Sequence, residues 1–299
     1  MELKILNYVR NSYQDRLLGI FLMALTGVCM VAVMVSLRFL DQRLPSVQAA
    51  FLRYLFGLVI IFPFALHELS LRKLKIPIVK HGIRGTLHGF AVVLWFYSVS
   101  NIPLTDVTAI NFLTPIFTTI GAIIIYKEKL TKHRFLAIFT AFFGAMLILR
   151  PGFEAISLGK SAQLLSTLLF ATSYLITKSL TKTEGTLLIV LMLTFFAALA
   201  LLPFAFINWI NPSFNDLGLL FGIAILATLG HYFMTIAVAL APLTVTQPVI
   251  FLQLIWSTLL GLIIFREPID LLIIVGGGFI VFAITQIAHS EKNAARIVK

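Results

Sequence analysis

The sequence PLTDVTAINFLTPIFTTIGAIIIYKE at residues 103–128 returns 139 positions later as PLTVTQPVIFLQLIWSTLLGLIIFRE at residues 242–267. Both copies begin with proline, leucine and threonine, continue as an apolar stretch and end on a basic residue followed by glutamate. A similar match at an offset of 140 places Pro63 on Pro203, so the repeat extends over most of the chain. Two halves of about 140 residues predict one duplicated architecture.

The composition is typical of a membrane protein. Hydrophobic residues make up 60% of the 299 positions and charged residues 12%, with a mean hydropathy of +1.01. Ten apolar stretches, the fifth with its flanks, can each cross about 30 Å of hydrocarbon as a helix. They are residues 17–37, 46–66, 82–100, 104–126, 135–149, 158–180, 186–209, 217–240, 243–265 and 271–288. The stretches lack the period-two alternation of barrel strands, so we predict an all-α, polytopic membrane protein of ten transmembrane helices.

The two repeats are expected to be inverted. Each half holds five predicted crossings, an odd number, so the second copy enters the membrane from the opposite face. We place the first repeat at residues 16–150 and the second at 158–288, with tails at 1–15 and 289–299. Two oppositely oriented copies can exchange their conformations, which opens the centre first to one side and then to the other. This organisation favours alternating access.

The predicted topology explains the formal net charge of +11. With ten crossings, most lysines and arginines fall in loops on the side that holds both termini. The opposite side holds only Arg38, Arg43, Arg150, Lys160 and Arg266. The positive-inside rule then predicts a multi-pass protein of the cell (inner) membrane with both termini in the cytoplasm. The first 16 residues are polar and mixed, so we expect no cleavable signal, and no nucleic-acid partner is needed to explain the charge.

Polar side chains follow one face of the fourth stretch and the same face of its repeat. Asn111 and Thr114 lie on this face in the first copy, and Gln247 and Gln253 lie on it in the second. Amides and hydroxyls are costly in lipid, so these faces should point inward, where they either join helices or line a wet cavity. For Asn111, Gln247 and Gln253 we favour the cavity.

Titratable residues within the stretches suggest ligand binding. Arg53 is an intramembrane cation that needs a partner: a substrate carboxylate, a structural lock formed by Asp106 or a helix C-terminus, or a headgroup phosphate. His88 and His231 can act as core hydrogen-bonding groups, bind a substrate carboxylate or relay a proton. Together with Asp106, the two histidines are the candidates for proton coupling.

Three further features concern the walls of such a cavity. Trp95 is either an interfacial anchor or a flat wall for a planar or cationic substrate. The sixth stretch is rich in hydroxyl groups, and its broad polar side, which includes Tyr174, should face the interior. Pro115 predicts a bend beside a cavity or an inert kink; its image is Leu254, so the same kink is not expected in the second copy.

The sequence lacks the motifs that would indicate an enzyme. We find no metal-ligand cluster, no nucleophile elbow and no nucleotide-binding domain, so no metal, cofactor or covalent catalysis is expected. The glycine pairs Gly85/Gly89 and Gly218/Gly222, and the run Gly276-Gly277-Gly278, predict close helix packing instead.

The ordered motifs resemble the drug/metabolite transporter superfamily, specifically a bacterial protein with two EamA repeats. The resemblance is carried by Arg53-Tyr54, Phe96-Tyr97, residues 103–111, Pro115, Lys127-Glu128, Gly144 and Arg266-Glu267. It implies a ten-helix carrier in which helices three, four, eight and nine surround a central cavity while one, two, six and seven gate it. The sequence is also similar to the branch that includes S-adenosylmethionine and amino-acid carriers.

We therefore expect a secondary transporter for a small organic metabolite that is amino-acid-like or zwitterionic, with S-adenosylmethionine as one candidate. Arg53 would pair with a carboxylate, Trp95 would stack, and polar groups would complete the site. These groups are His88, Asn111, Thr114, Tyr174, His231, Gln247 and Gln253. Protons or exchange would supply the energy, and the protein would act in the bilayer as a monomer or homodimer. Two alternatives stay open: a passive facilitator, and a membrane enzyme or lipid-handling protein that acts at headgroup level.

Overall fold

A computed structural model describes residues 13–37, 39–40, 43–70, 76–102, 107, 110–149, 157–265 and 271–297. Within these ranges the chain is helical and contains no strand, so the predicted all-α class is confirmed. The helices are α1 Tyr13–Leu37, α2 Ser46–Ser70, α3 Ile78–Asn101, α4 Leu113–Tyr126, α5 Lys132–Leu149, α6 Leu158–Leu180, α7 Thr186–Ala205, α8 Phe214–Leu240, α9 Leu243–Thr246, α10 Leu252–Phe265 and α11 Leu271–Ile297. A 3₁₀ turn at Gln247–Phe251 joins α9 to α10.

Several of these helices suit a bilayer. Among the described residues, five segments are long and apolar enough to cross a membrane: Gln14–Leu37, Ser46–Leu66, Thr186–Ala205, Phe214–Leu240 and Leu243–Ile264. Large apolar side chains also cover the outside of the bundle, including Val59, Phe64 and Phe214. Long apolar helices with an apolar outer surface are suited to contact with lipid, so the chain is a multi-pass membrane protein.

Helices from the first half pair with helices from the second half. Helix α1 packs along α8, and α3 packs along α6; α2 packs along α7, and α5 along α11. Exchanging the two halves turns the α1–α8 pair into the α6–α3 pair and leaves the other two pairs unchanged. The packing is therefore symmetric with respect to the repeat.

A buried aromatic pair joins equivalent positions of the two repeats. Phe112 and Phe251 are both buried, and their rings stack with centroids 4.9 Å apart and planes 16° from parallel. Phe112 lies in a turn just before α4, and Phe251 ends the 3₁₀ turn just before α10.

Neither copy has a proline in the middle of the helix that follows the interruption. Pro115 is the third residue of α4, where proline does little damage to a helix. The second copy has its own interruption at the 3₁₀ turn, whose second residue is Pro248. The turn at Phe112 precedes α4 in the first copy, and the 3₁₀ turn precedes α10 in the second, so both copies change helix geometry before the equivalent helix.

The two glycine pairs behave differently. Gly85 and Gly89 on α3 lie against Phe196 and Ala197 of α7, as the sequence predicted. The prediction for Gly218 and Gly222 was wrong, because no described atom would lie within 4 Å of a Cβ at either position. Helical periodicity cannot tell which face of α8 meets a neighbour.

Gly85→Ala should weaken the contact between α3 and α7. The added Cβ would collide with Phe196 Cβ and come within 3.1 Å of the Ala197 backbone nitrogen, which cannot move aside. We expect overpacking to lower the free energy of unfolding by about 1–3 kcal/mol, seen as a lower Tm in detergent. Gly222→Ala is the matched control; its Tm should stay equal or rise, because alanine favours the helix. Equal Tm values for wild type and Gly85→Ala would contradict this packing.

Charged side chains hold the turn between α8 and α9. The Glu128 carboxylate accepts hydrogen bonds from the backbone N–H groups of Leu243 (3.0 Å) and Thr244 (2.9 Å) at the start of α9. The Lys178 ammonium donates to the carbonyl oxygens of Val238 and Ala241 at the end of α8. Both contacts satisfy backbone groups that helix ends leave unpaired. We call Glu128, Lys178 and these four backbone groups the charged clamp.

Candidate functional site

A cavity lies between helices of both halves. It comprises about 1080 Å³ of space not filled by protein atoms, part of which is open to the outside. Eight of the nine residues predicted to bind substrate line it: Arg53, His88, Trp95, Asn111, Thr114, Tyr174, His231 and Gln253. These side chains come from six different stretches of the chain, and the fold brings them around one space.

The ninth predicted residue, Gln247, does not line the cavity. Gln247 is completely buried in the 3₁₀ turn, and its side-chain nitrogen and oxygen have no hydrogen-bond partner among the described residues. Asp106, the third candidate for proton coupling, lies outside the described residues.

Arg53 is a buried cation in the cavity wall, with 6% of its surface exposed. Its Nη2 lies 3.1 Å from His231 Nε2, and its guanidinium carbon lies 4.2 Å from the centre of the Tyr54 ring. The Nη1 group has no partner, and no carboxylate of a described residue pairs with this arginine. A neutral imidazole and a π face orient the guanidinium without neutralising it, so one donor remains for a ligand.

The two histidines meet at the cavity. The ring centroids of His88 and His231 lie 4.9 Å apart, and His88 Nδ1 lies 3.1 Å from the hydroxyl of Ser173. His231 Nδ1 has no hydrogen-bond partner among the described residues. The pair connects the first half of the chain to the second beside Arg53.

Aromatic rings form another part of the wall. Phe170 and Tyr174, one turn apart on α6, are nearly parallel and also flank His88, with ring centroids 5.0 Å and 6.3 Å from it. Trp95 lines the cavity and packs on Phe96 at 5.4 Å. Of the two roles open to Trp95, the structure therefore places it on the cavity wall.

One wall was missed by the sequence analysis. Met23, Met30 and Met34 of α1 line the cavity together with Thr26, whose hydroxyl donates to the Leu22 carbonyl at 2.9 Å. Their spacing of three, four and four positions could have revealed a common helix face. Methionine is an ordinary apolar residue in a membrane helix, so the pattern did not stand out. Because methionine is flexible and polarisable, this wall can adapt to ligands of different shape.

The arrangement can bind a ligand with both charged and flat parts. The guanidinium group without a partner, Nη1 of Arg53, suits a carboxylate. The amide groups of Asn111 and Gln253 suit neutral hydrogen-bonding groups, and the rings suit a planar or cationic group. No group of three histidine, cysteine, aspartate or glutamate side chains within the described ranges could hold a metal ion. The resemblance implied walls from the third, fourth, eighth and ninth helices; α1, α2 and α6 contribute as well.

A family model described as the EamA-like transporter family matches residues 17–150 and 157–288. Among curated proteins, the S-adenosylmethionine uptake transporter of Rickettsia felis is 30% identical over 96% of this chain and 97% of its own length. The riboflavin transporter of Rhizobium johnstonii is 30% identical over 83% of each chain. The pseudopaline exporter CntI of Pseudomonas aeruginosa is 22% identical over 92% of this chain and 97% of its own length.

A solved crystal structure is also similar. It superposes with a TM-score of 0.75 over 94% of this chain and 98% of its own, at 15% sequence identity. This identity is low enough that the likeness concerns the fold alone. The family match and the curated relatives, all named as transporters, confirm the resemblance that the sequence motifs indicated.

Proposed function

We propose that this chain, which belongs to the EamA-like transporter family, transports a zwitterionic, carboxylate-bearing metabolite by alternating access. The relatives it resembles are named as transporters or exporters of small metabolites. S-Adenosylmethionine is the first substrate to test. The observation that carries the proposal is the Arg53 guanidinium, which is buried at the cavity, oriented by His231 and Tyr54, and has a free Nη1 donor. A buried cation of this kind marks a substrate pathway in membrane proteins.

The chemistry of the walls favours one of the relatives' substrates over another. S-Adenosylmethionine has a carboxylate for Arg53 and an amino group for the neutral amides. Its adenine ring and its sulfonium, which the ribose separates, suit Trp95 and the rings of α6. Riboflavin has a flat ring system but no carboxylate, so it would leave the Arg53 charge unpaired. Leaving a buried charge unpaired costs more than a lost contact to a neutral group.

Alternating access is supported by the symmetry of the packing. The helix pairs across the two halves are unchanged when the halves are exchanged, as an inverted repeat of five plus five crossings requires. We propose that the two halves exchange conformations around the cavity, with both termini in the cytoplasm as the positive-inside rule predicts. Coupling to protons would use His88, His231 or Asp106.

Uptake by proteoliposomes tests the proposal. The purified chain is reconstituted and supplied with radiolabelled S-adenosylmethionine, decarboxylated S-adenosylmethionine, riboflavin or single amino acids, each with and without a pH gradient and with unlabelled substrate inside. We expect accumulation or exchange of the carboxylate-bearing compound and much slower uptake of its decarboxylated analogue. Equilibration without accumulation or exchange would indicate the passive facilitator instead. No uptake of any compound, or faster uptake of the decarboxylated form, would contradict the proposal.

Trp95→Ala should weaken binding of the adenine ring. Loss of a stacking face is worth about 0.5–1.5 kcal/mol beyond buried area, so we expect the KM for S-adenosylmethionine to rise roughly 3- to 10-fold. Trp209→Ala is the matched control, because Trp209 stacks on Phe206 at 5.0 Å and donates to Asn211 away from the cavity. Equal KM values for the two variants would argue against a stacking role for Trp95.

A further inference from the structure

A second arginine is buried near the cavity and takes no part in its wall. Arg84 lies on α3, one turn before His88, and none of its surface is exposed. Its Nη1 donates to the Ile189 carbonyl of α7 at 2.9 Å. Its Nε and Nη2 groups have no hydrogen-bond partner among the described residues.

The two unpaired donors have a defined chemistry. Nε and Nη2 lie along one edge of the guanidinium plane, and this edge is the one that binds a carboxylate side-on through two parallel hydrogen bonds. The remaining group, Nη1, already holds the backbone of α7. The free edge is therefore oriented for a ligand, and the bond to Ile189 fixes that orientation.

Helix α3 connects Arg84 to the cavity. Arg84 precedes His88 by one turn, so the two residues lie on the same face of this helix. His88 lines the cavity next to Tyr174 and next to His231, which contacts Arg53. Arg84 thus lies one helical turn from the part of the wall that Arg53, His88 and Tyr174 form.

The burial of Arg84 requires an explanation. A cation without a counter-charge is costly in the membrane-spanning core, and no carboxylate of a described residue pairs with this one. A structural brace between α3 and α7 would need only a neutral donor for the Ile189 carbonyl. A free guanidinium edge is useful when an anion reaches it in another conformation of the protein.

We propose that Arg84 is a second carboxylate-binding position, which receives the substrate carboxylate after Arg53 when the wall between them opens. The inference rests on the proposed function and extends it: the substrate carboxylate passes from one guanidinium to the next instead of crossing the core unpaired. Arg53 governs binding in the cavity, and Arg84 governs passage out of it.

Binding and transport can be separated experimentally. For wild type, Arg84→Gln, Arg84→Lys and Lys80→Gln, the Kd for S-adenosylmethionine and the ligand-free Tm are measured in detergent, and initial uptake in proteoliposomes. We expect Arg84→Gln to keep the Kd within about 3-fold, to lose uptake by about 10-fold or more, and to have a Tm no lower than wild type, because a strained charge is removed. Arg84→Lys should recover part of the uptake, and Lys80→Gln, an exposed cation on the same helix, should match wild type.

Three results would contradict a second carboxylate-binding position at Arg84. Wild-type uptake by Arg84→Gln would overturn the second position. A fall in Tm together with equal losses of binding and uptake would identify a structural brace and also overturn it. If wild type itself takes up neither S-adenosylmethionine nor any other compound of the panel, the proposed function fails, and this inference fails with it. The two failures are distinguishable because the first appears only in the variant and the second in wild type.

Discussion

Arg53→Gln should nearly abolish transport of S-adenosylmethionine. The substitution removes the only cation that lines the cavity in the described part of the chain, so the substrate carboxylate would be buried without a counter-charge. Truncating one partner of a buried charge pair costs about 2–5 kcal/mol, which corresponds to a loss of roughly 30-fold or more in affinity. The measurement is the Kd in detergent together with initial uptake in proteoliposomes.

The analogue without a carboxylate provides the sharpest control. Decarboxylated S-adenosylmethionine lacks the group that Arg53 recognises, so its weak binding should change little in Arg53→Gln. Arg53→Lys should fall between wild type and Arg53→Gln, because lysine keeps the charge but not the planar fork. Arg43→Gln, an exposed arginine, controls for the general loss of positive charge. If both compounds lose affinity equally in Arg53→Gln, the carboxylate is not what Arg53 binds.

Glu128→Ala should open the charged clamp. The carboxylate holds two backbone N–H groups of α9, and a hydrogen bond to a charged group contributes about 1.5–3 kcal/mol. Losing even one such bond shifts the equilibrium between the closed and the open clamp by about 10-fold or more. The nearby residue Val245 is completely buried, so a cysteine at this position reports opening. In a Cys29→Ser background, we expect Val245→Cys to react at least about 10-fold faster with a water-soluble maleimide once Glu128 is removed.

Helix α8 links the clamp to the cavity. Met234 lines the cavity one turn before Val238, whose carbonyl oxygen binds Lys178. Lys129→Gln is the control for Glu128→Ala, because Lys129 is an exposed charge next in sequence and lies outside the clamp. Glu128→Gln keeps one acceptor oxygen and should give an intermediate labelling rate. Identical labelling rates with and without Glu128 would show that the clamp does not keep the turn between α8 and α9 closed.

Most of the fold could be predicted because its determinants are local. Hydropathy gives the apolar helices directly, and the repeat between residues 103–128 and 242–267 indicates which helices are equivalent. The repeat also located the polar faces, because the same helix face is polar in both copies. Three of the four binding residues predicted from these faces, Asn111, Thr114 and Gln253, line the cavity, and so do the five that were predicted from other features.

The remaining features depend on tertiary contacts that no local pattern contains. The sequence analysis weighed a substrate, Asp106, a helix C-terminus and headgroup phosphate as partners of Arg53. In the structure Arg53 meets His231, which is 178 positions away in the sequence. Gln247 shares the polar face of its stretch, but the 3₁₀ turn buries it away from the cavity. The methionine face of α1 was missed because methionine, unlike an amide, does not distinguish a cavity wall from a lipid contact.

An experimental structure of the full chain with S-adenosylmethionine bound tests the central claim most directly. We expect the ligand between the two halves, with its carboxylate within hydrogen-bond distance of Arg53 and its adenine ring against the aromatic wall of Trp95, Phe170 and Tyr174. Ligand density outside this cavity, or a carboxylate that points away from Arg53, would contradict the account.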